Sequence, residues 1–119
     1  MDKIESFKDL KIWQKGIEIV KQVYALTKLF PKEELYGLTS QTRRAAVSIP
    51  SNIAEGFRRL HNPEYKQFLY ISLGSAAELE TQLIIAKELS FMNQNDLNEV
   101  SEKIDHMSRM VKNLLKKLN

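Results

Sequence analysis

A chain of 119 residues with 43% hydrophobic and 28% charged residues has ordinary globular usage, which excludes a disordered tail or a fibre and leaves room for one apolar core. There is no cysteine, so a disulfide framework and thiolate metal sites are excluded, and a reducing cytoplasm is the expected location. The net charge of +3 is modest but uneven: four arginines stand against Glu55 between Leu38 and Leu60, whereas Glu64, Glu78, Glu80 and Glu88 outnumber Lys66 and Lys87 between His61 and Ser90.

That asymmetry predicts a basic second helix beside an acidic third one. The run Met1-Asp2-Lys3-Ile4-Glu5 lacks the apolar stretch of a signal peptide. No segment approaches the roughly 18 apolar residues of a membrane span, so no membrane partner is expected.

The first periodic segment runs from about Asp9 to Phe30. Leu10, Trp13, Ile17, Val20, Tyr24 and Thr27 recur three and four apart, which puts them on one helix face. Phe30-Pro31 closes it, because a residue before proline is pushed out of the α region. A second helix is predicted from Leu38 or Thr39 to Leu60, with Leu38, Ala45, Ile49, Ile53 and Phe57 inward and the small residues Ala46 and Ala54 alongside. Asn62-Pro63-Glu64 reads as a helix start with Asn as the cap. The third helix then carries Tyr65, Leu69, Ser72, Ala76, Leu79, Leu83 and Ala86 inward and ends near Leu89 or Ser90. After the turn Asn93-Gln94-Asn95-Asp96, the fourth helix places Leu97, Val100, Ile104, Met107, Val111, Leu114 and Leu118 on its face. Four long helices with short connectors predict an all-α, antiparallel up-and-down four-helix bundle forming a single domain over 1–119.

Pro50 lies inside the second helix, where it removes the hydrogen bond to the Ala46 carbonyl at a cost of about 3 kcal/mol. A kink or break near Ser48 to Pro50 is expected, with Ser48 or Ser51 covering the freed carbonyls. The same helix carries a polar stripe: Gln41, Arg44, Ser48, Asn52, Glu55 and Arg59. Either it builds an interhelical or intersubunit hydrogen-bond network, with Arg44 pairing to Glu78 of the third helix, or it is a contact surface for a ligand or nucleic acid. Buried polar groups must find partners, which favours the structural network of Gln41, Arg44, Ser48, Asn52, Glu55 and Glu78.

Several residues and runs together resemble the four-helix-bundle proteins of the 23S ribosomal RNA intervening-sequence family. They are Trp13-Gln14-Lys15, Phe30-Pro31, Glu34, Tyr36-Gly37-Leu38-Thr39 and Gln41, and above all the uninterrupted run Arg43-Arg44-Ala45-Ala46-Val47-Ser48-Ile49-Pro50-Ser51-Asn52-Ile53-Ala54-Glu55-Gly56. Arg59, Phe68-Leu69, Gly74-Ser75 and the run Glu78 to Leu83 extend it, while Gly16 and His61 depart from the usual pattern. The resemblance implies a bundle whose biochemical role is mostly unassigned. Similar bundles in diversity-generating retroelements form pentameric barrels that bind nucleic acid together with a reverse transcriptase, so the resemblance implies a homo-pentamer. The residues lend the oligomer separate support, because Phe68, Ile71 and Ile85 lie off the inner stripe of the third helix and suit either a subunit contact or a wider core face.

Chemistry-bearing patterns are sparse. The two histidines, His61 and His106, do not form the Glu-x-x-His pair of di-iron bundles. Glu102 and His106 read as a surface pair, so no metal is expected. The glycines stand singly at 16, 37, 56 and 74 and form no phosphate loop, so no cofactor is expected. Gly16 and Gly74 suggest close helix packing. Ser48 or Ser75 with Glu55, Glu78 and Arg44 lacks a base for a nucleophilic serine, so the chain is expected not to be an enzyme.

Nucleic-acid binding has more to draw on. Arg43, Arg44, Arg58 and Arg59 on the second helix, and Arg109, Lys112, Lys116 and Lys117 near the C-terminus, are candidates for phosphate contacts that symmetry would multiply in a ring. The C-terminal lysines serve equally as complements to a helix dipole. The expectation is an oligomeric accessory protein that binds ribosomal RNA or DNA. The alternative is a protein-interaction scaffold, with a protein partner, whose polar stripe is structural.

Overall fold

Four helices carry the chain in the computed structural model, which describes residues 3–118: α1 (Lys11–Thr27), α2 (Leu38–Arg58), α3 (Asn62–Glu88) and α4 (Gln94–Lys117). Met1, Asp2 and Asn119, the ends of the domain expected over 1–119, lie outside the described residues. No strand occurs among the described residues, and the all-α bundle expected from periodicity is the observed class. At about 1.5 Å per residue, the 27 residues of α3 nearly span the 43 Å long axis of the molecule.

Each helix packs on two neighbours, in the cyclic order α1, α2, α3, α4. The register of the contacts gives their directions. Phe7, just before α1, lies under Arg58, Gly16 meets Pro50, and Thr27 meets Arg43, so α1 and α2 run oppositely. Phe57 meets Tyr65, and Ser48 meets Ser75, so α2 and α3 do too. Lys15 and Glu18 share a groove with residues 99–109, and Leu26 and Leu29 with Met92 to Asp96, which sets α4 against α1 in the same sense.

α1 is shorter than its periodicity suggested. Ahead of it a 3-10 turn, Phe7–Asp9, is fixed by reciprocal capping: Lys8 N donates to Ser6 Oγ (3.1 Å), and Glu5 N and Ser6 N donate to the Asp9 carboxylate (2.9 and 3.1 Å). The Glu5 and Ser6 N–H donors hold the Asp9 carboxyl below its usual pKa. The buried face is also displaced from the expected one by about one residue position. Ile12, Gly16, Ile19, Val23 and Thr27 point inward, Leu10, Trp13 and Val20 flank them, and Tyr24 is exposed. Two apolar stripes compete on α1, and Gly16 decides between them: a Cβ there would sit 3.2 Å from Pro50 Cβ and 3.5 Å from Ile49 Cγ2. The missing side chain lets α2 close onto that face.

α2 runs without interruption through Pro50, so of the kink or break expected near Ser48 to Pro50 the break does not occur. Ile49, Pro50 and Ile53 are all buried, and packing on both sides keeps the segment helical despite the lost hydrogen bond. The side-chain donors reaching this turn also differ from those expected. Ser51 is exposed, and the carbonyls of Ser48 and Ile49 accept from Asn52 Nδ2 (2.8 Å) and Ser72 Oγ (2.6 Å).

α3 begins at Asn62 itself, so its cap position falls one residue earlier than expected. His61 holds the cap position without a side-chain cap bond, and Asn62 is already helical. Its end is a left-handed turn at Ser90, φ 65°, where Phe91 N reaches back to Ala86 O (2.8 Å) and Ser90 N to Lys87 O (2.9 Å). This is the Schellman pattern, and it delivers Phe91 onto the buried Phe30, ring centroids 5.8 Å apart. α4 is capped by Asn93, whose Oδ1 accepts from Asp96 N (2.8 Å). Its buried face, Leu97, Val100, Ile104, Met107 and Val111, is the expected one.

Of the four glycines, Gly56 leaves the least room for a side chain. A Cβ there would fall 2.7 Å from Phe68 Cβ and 3.3 Å from the Tyr65 carbonyl oxygen. Gly56→Ala is therefore expected to lower stability by about 1–3 kcal/mol through overpacking, outweighing its gain in helix propensity. A urea melt checks this, and an unchanged or higher midpoint would contradict the close approach.

Candidate functional site

The polar stripe of α2 divides in the structure into a buried part and an exposed part. Ser48 Oγ and Ser75 Oγ share a 2.8 Å hydrogen bond, Asn52 Nδ2 donates to Ser48 Oγ (2.9 Å), and Ser72 closes the cluster on the Ile49 carbonyl. Ser72 and Ser75 are both buried, so this is an interhelical network between α2 and α3. Ser75 as the partner of Ser48 was not foreseen, because serines at 72 and 75 read as helix-face spacing until α2 is docked against them.

The outer members do not join it. Glu55 pairs instead with Arg59 (3.0 Å). Arg44 and Glu78 both line a cleft of about 330 Å³ with Gln41 and Ser48, but the expected Arg44–Glu78 ion pair is not formed. Each is exposed, where water solvates a charge at little cost and an ion pair gains little.

The eight candidate cations fall into three groups. Arg43 is held by Thr27, to whose Oγ1 its Nε donates (2.8 Å), and lies over the Tyr24 ring at 4.7 Å. Arg59 is taken up within the molecule by Glu55, by Glu64 at 3.9 Å and by the Phe68 ring at 5.0 Å. Arg44, Arg58, Arg109, Lys112, Lys116 and Lys117 are exposed and make no ion pair among the described residues.

The topology gathers cations that are distant in sequence. Because α4 runs against α1, its last turns, with Lys112, Lys116 and Lys117, come to the end of the bundle where α1 begins and α2 finishes with Arg58. Lys8 and Lys11 lie at the same end. Of the carboxylates there, Glu55 and Glu64 face Arg59, Asp9 accepts backbone N–H groups, and Glu5 is exposed. Ammonium and guanidinium groups without ion pairs outnumber it, with Arg58 steadied over the Phe7 ring at 5.1 Å.

Other candidates are dispersed. His61 sits beside Glu64 (3.4 Å) at the start of α3, while His106 lies with Glu18, Glu99 and Glu102 in an open groove between α1 and α4. Among the described residues no three His, Cys, Asp or Glu side chains converge in the manner of a metal site. Nor is any helix among the described residues long and apolar enough to cross a membrane. Of the two glycines expected at close contacts, Gly16 is one, but Gly74 faces open space with nothing within 4 Å of a Cβ built there.

Removing the Ser72 hydroxyl leaves the Ile49 carbonyl one donor short in a buried contact. Ser72→Ala is expected to cost about 1 kcal/mol, read by chemical denaturation, and a neutral result would show that this bond does not hold α2 to α3.

The family model described as 23S rRNA-intervening sequence protein matches residues 8–113. Among solved structures, the chain is similar to the crystal structure of a protein with unknown function from the S23 ribosomal protein family of Bacteroides thetaiotaomicron VPI-5482. The TM-score is 0.81 at 19% identity, over 88% of this chain and 98% of that one, a likeness that bears on the fold. No curated protein matches the sequence. With the match running from the turn ahead of α1 to the last turns of α4, the chain belongs to the 23S rRNA-intervening sequence protein family.

Proposed function

We propose that the chain is a non-enzymatic, cytoplasmic, homo-oligomeric accessory protein that binds nucleic acid, with ribosomal RNA as the leading ligand. The observation that carries this reading is the end of the bundle where Arg58, Lys112, Lys116 and Lys117 make no ion pair among the described residues while Glu55 and Glu64 are turned to Arg59. Phosphate neutralisation by such a cluster releases condensed counterions and needs no base-specific contact.

Oligomerisation is supported by α3, whose outer side keeps Tyr70 62% exposed and Ile71, Ile84 and Ile85 each more than 40% exposed. Two pairs of large apolar side chains on one side of α3, with the small residues Gly74 and Ala77 exposed between them, suit a subunit contact. Phe68, grouped with this face from sequence, packs instead under Arg59 and against Gly56. A ring of five is the assembly we favour. It repeats each basic end by symmetry, which multiplies a small charge per chain.

The alternative reading is a scaffold that binds a protein partner through the same α3 face, without nucleic acid. The network of half-buried Ser48 and Asn52 with buried Ser72 and Ser75 favours neither reading, since its bonds are made inside one chain.

A salt-dependent titration of the intact oligomer against structured ribosomal RNA separates them. Replacing Lys112, Lys116 and Lys117 together by Ala is expected to weaken binding and to flatten the log–log salt dependence, by about 0.9 per lost contact on duplex. Sedimentation equilibrium on the same sample is expected to return several times the 13.8 kDa of one chain. Absence of binding at low salt by an intact oligomer overturns the nucleic-acid reading, and a monomer mass overturns the assembly.

A further inference from the structure

Away from the basic end, a groove of about 580 Å³ lies along the junction of α1, the following connector and the first turns of α2. Its lining includes two phenol rings, Tyr24 and Tyr36, two guanidinium groups, Arg43 and Arg44, and no carboxylate. The groove between α1 and α4 makes the contrast: three glutamates line it among lysines and an arginine, the mixture of a solvated surface.

Tyr36 is 94% exposed, yet the connector that carries it is ordered by its own hydrogen bonds. Glu34 N donates to Pro31 O (2.9 Å), Leu35 N to Lys32 O (3.1 Å), Gly37 N to Glu34 O (3.0 Å) and Gln41 N to Gly37 O (3.0 Å). The Glu34 carboxylate caps α2 by accepting from Leu38 N (3.1 Å). The ring is thus held in water by a fixed backbone, where it covers nothing of its own chain.

Arg43 is likewise set in advance. The buried Thr27 hydroxyl donates to Val23 O (2.8 Å), which leaves its oxygen to receive Arg43 Nε and pins the guanidinium above Tyr24. Arg44, one residue on, has no ion pair among the described residues. Flat aromatic and guanidinium surfaces next to free positive charge are what unpaired bases and their phosphates require, whereas bases inside a duplex offer no face to stack upon.

We infer that this groove is a base-stacking site for single-stranded nucleic acid, with Tyr36 as the stacking platform, the Arg43–Tyr24 pair as its fixed wall and Arg44 on a phosphate. The inference rests on the nucleic-acid reading above and specifies the strand state of the ligand. An acidic protein segment, or the acidic α3 of a second copy, is the competing occupant.

The test uses the intact full chain, a labelled single-stranded RNA of about 12 nucleotides and the duplex of the same sequence. Tyr36→Ala is expected to weaken single-strand binding about fivefold or more, with Tyr36→Phe staying close to the unmodified chain, since stacking needs the ring and not the hydroxyl. Duplex affinity and oligomer mass stay unchanged, and an oligonucleotide bearing 5-iodouridine crosslinks to Tyr36 on irradiation.

Unchanged single-strand affinity in Tyr36→Ala overturns the stacking site while the basic end still binds. Equal loss with Phe, or equal loss on duplex, overturns it as well. A shift in mass with Tyr36→Ala assigns the groove to a subunit contact. If the unmodified chain binds neither strand state at low salt, the broader nucleic-acid reading falls first and this inference with it.

Discussion

The close approach of α2 and α3 governs how the rest of the bundle is arranged. Gly56 lets Phe68 and Tyr65 come within a distance that any Cβ would occupy, and the serines at 48, 72 and 75 replace bulk with hydrogen bonds across the same interface. Small residues allow the contact, and the hydroxyls make it specific in register. On the opposite side of α2, Gly16 does the same for α1 by admitting Pro50. A helix that contains a proline is thereby kept helical by neighbours packed on both sides.

This arrangement has a functional consequence. With Ser48 and Asn52 engaged where α2 meets α3, the arginines of α2 stand toward its two ends. At one end Arg59 draws Glu55 and Glu64 to itself. At the other, Thr27 fixes Arg43 over Tyr24 and leaves Arg44 open. Both ends owe their electrostatics to which carboxylates are already engaged, and the formal net charge of +3 describes neither.

Much of the fold was legible in the sequence because helix periodicity reports burial directly. The inner faces of α3 and α4 follow the three-four alternation with few exceptions, although only α4 has a single apolar stripe and α3 keeps Tyr70, Ile71, Ile84 and Ile85 on its outer side. α1 was misread by about one position because it carries two such stripes, and the choice between them is made by Gly16, a residue whose contribution is the absence of atoms. The α2 break was expected from the local cost of proline, and what overrides it is tertiary packing that no local pattern encodes. The candidate cations were visible as residue types. Their sorting into neutralised, stacked and free groups was not, because Glu64, Phe7 and Thr27 reach them from other elements. Tyr36 carried no signal as a surface feature, since a tyrosine in a connector is expected to cover its own core.

The proposed contact of nucleic acid with the end of the bundle formed by the close of α2 and α4 is open to direct measurement. Lysine-modification footprinting of the intact oligomer, with and without structured ribosomal RNA, tests it residue by residue. The account predicts that Lys112, Lys116 and Lys117 lose reactivity when RNA is bound while Lys21 and Lys103, nearer the middle of the bundle, keep theirs. Unchanged reactivity at 112, 116 and 117 under conditions where RNA is bound would contradict it.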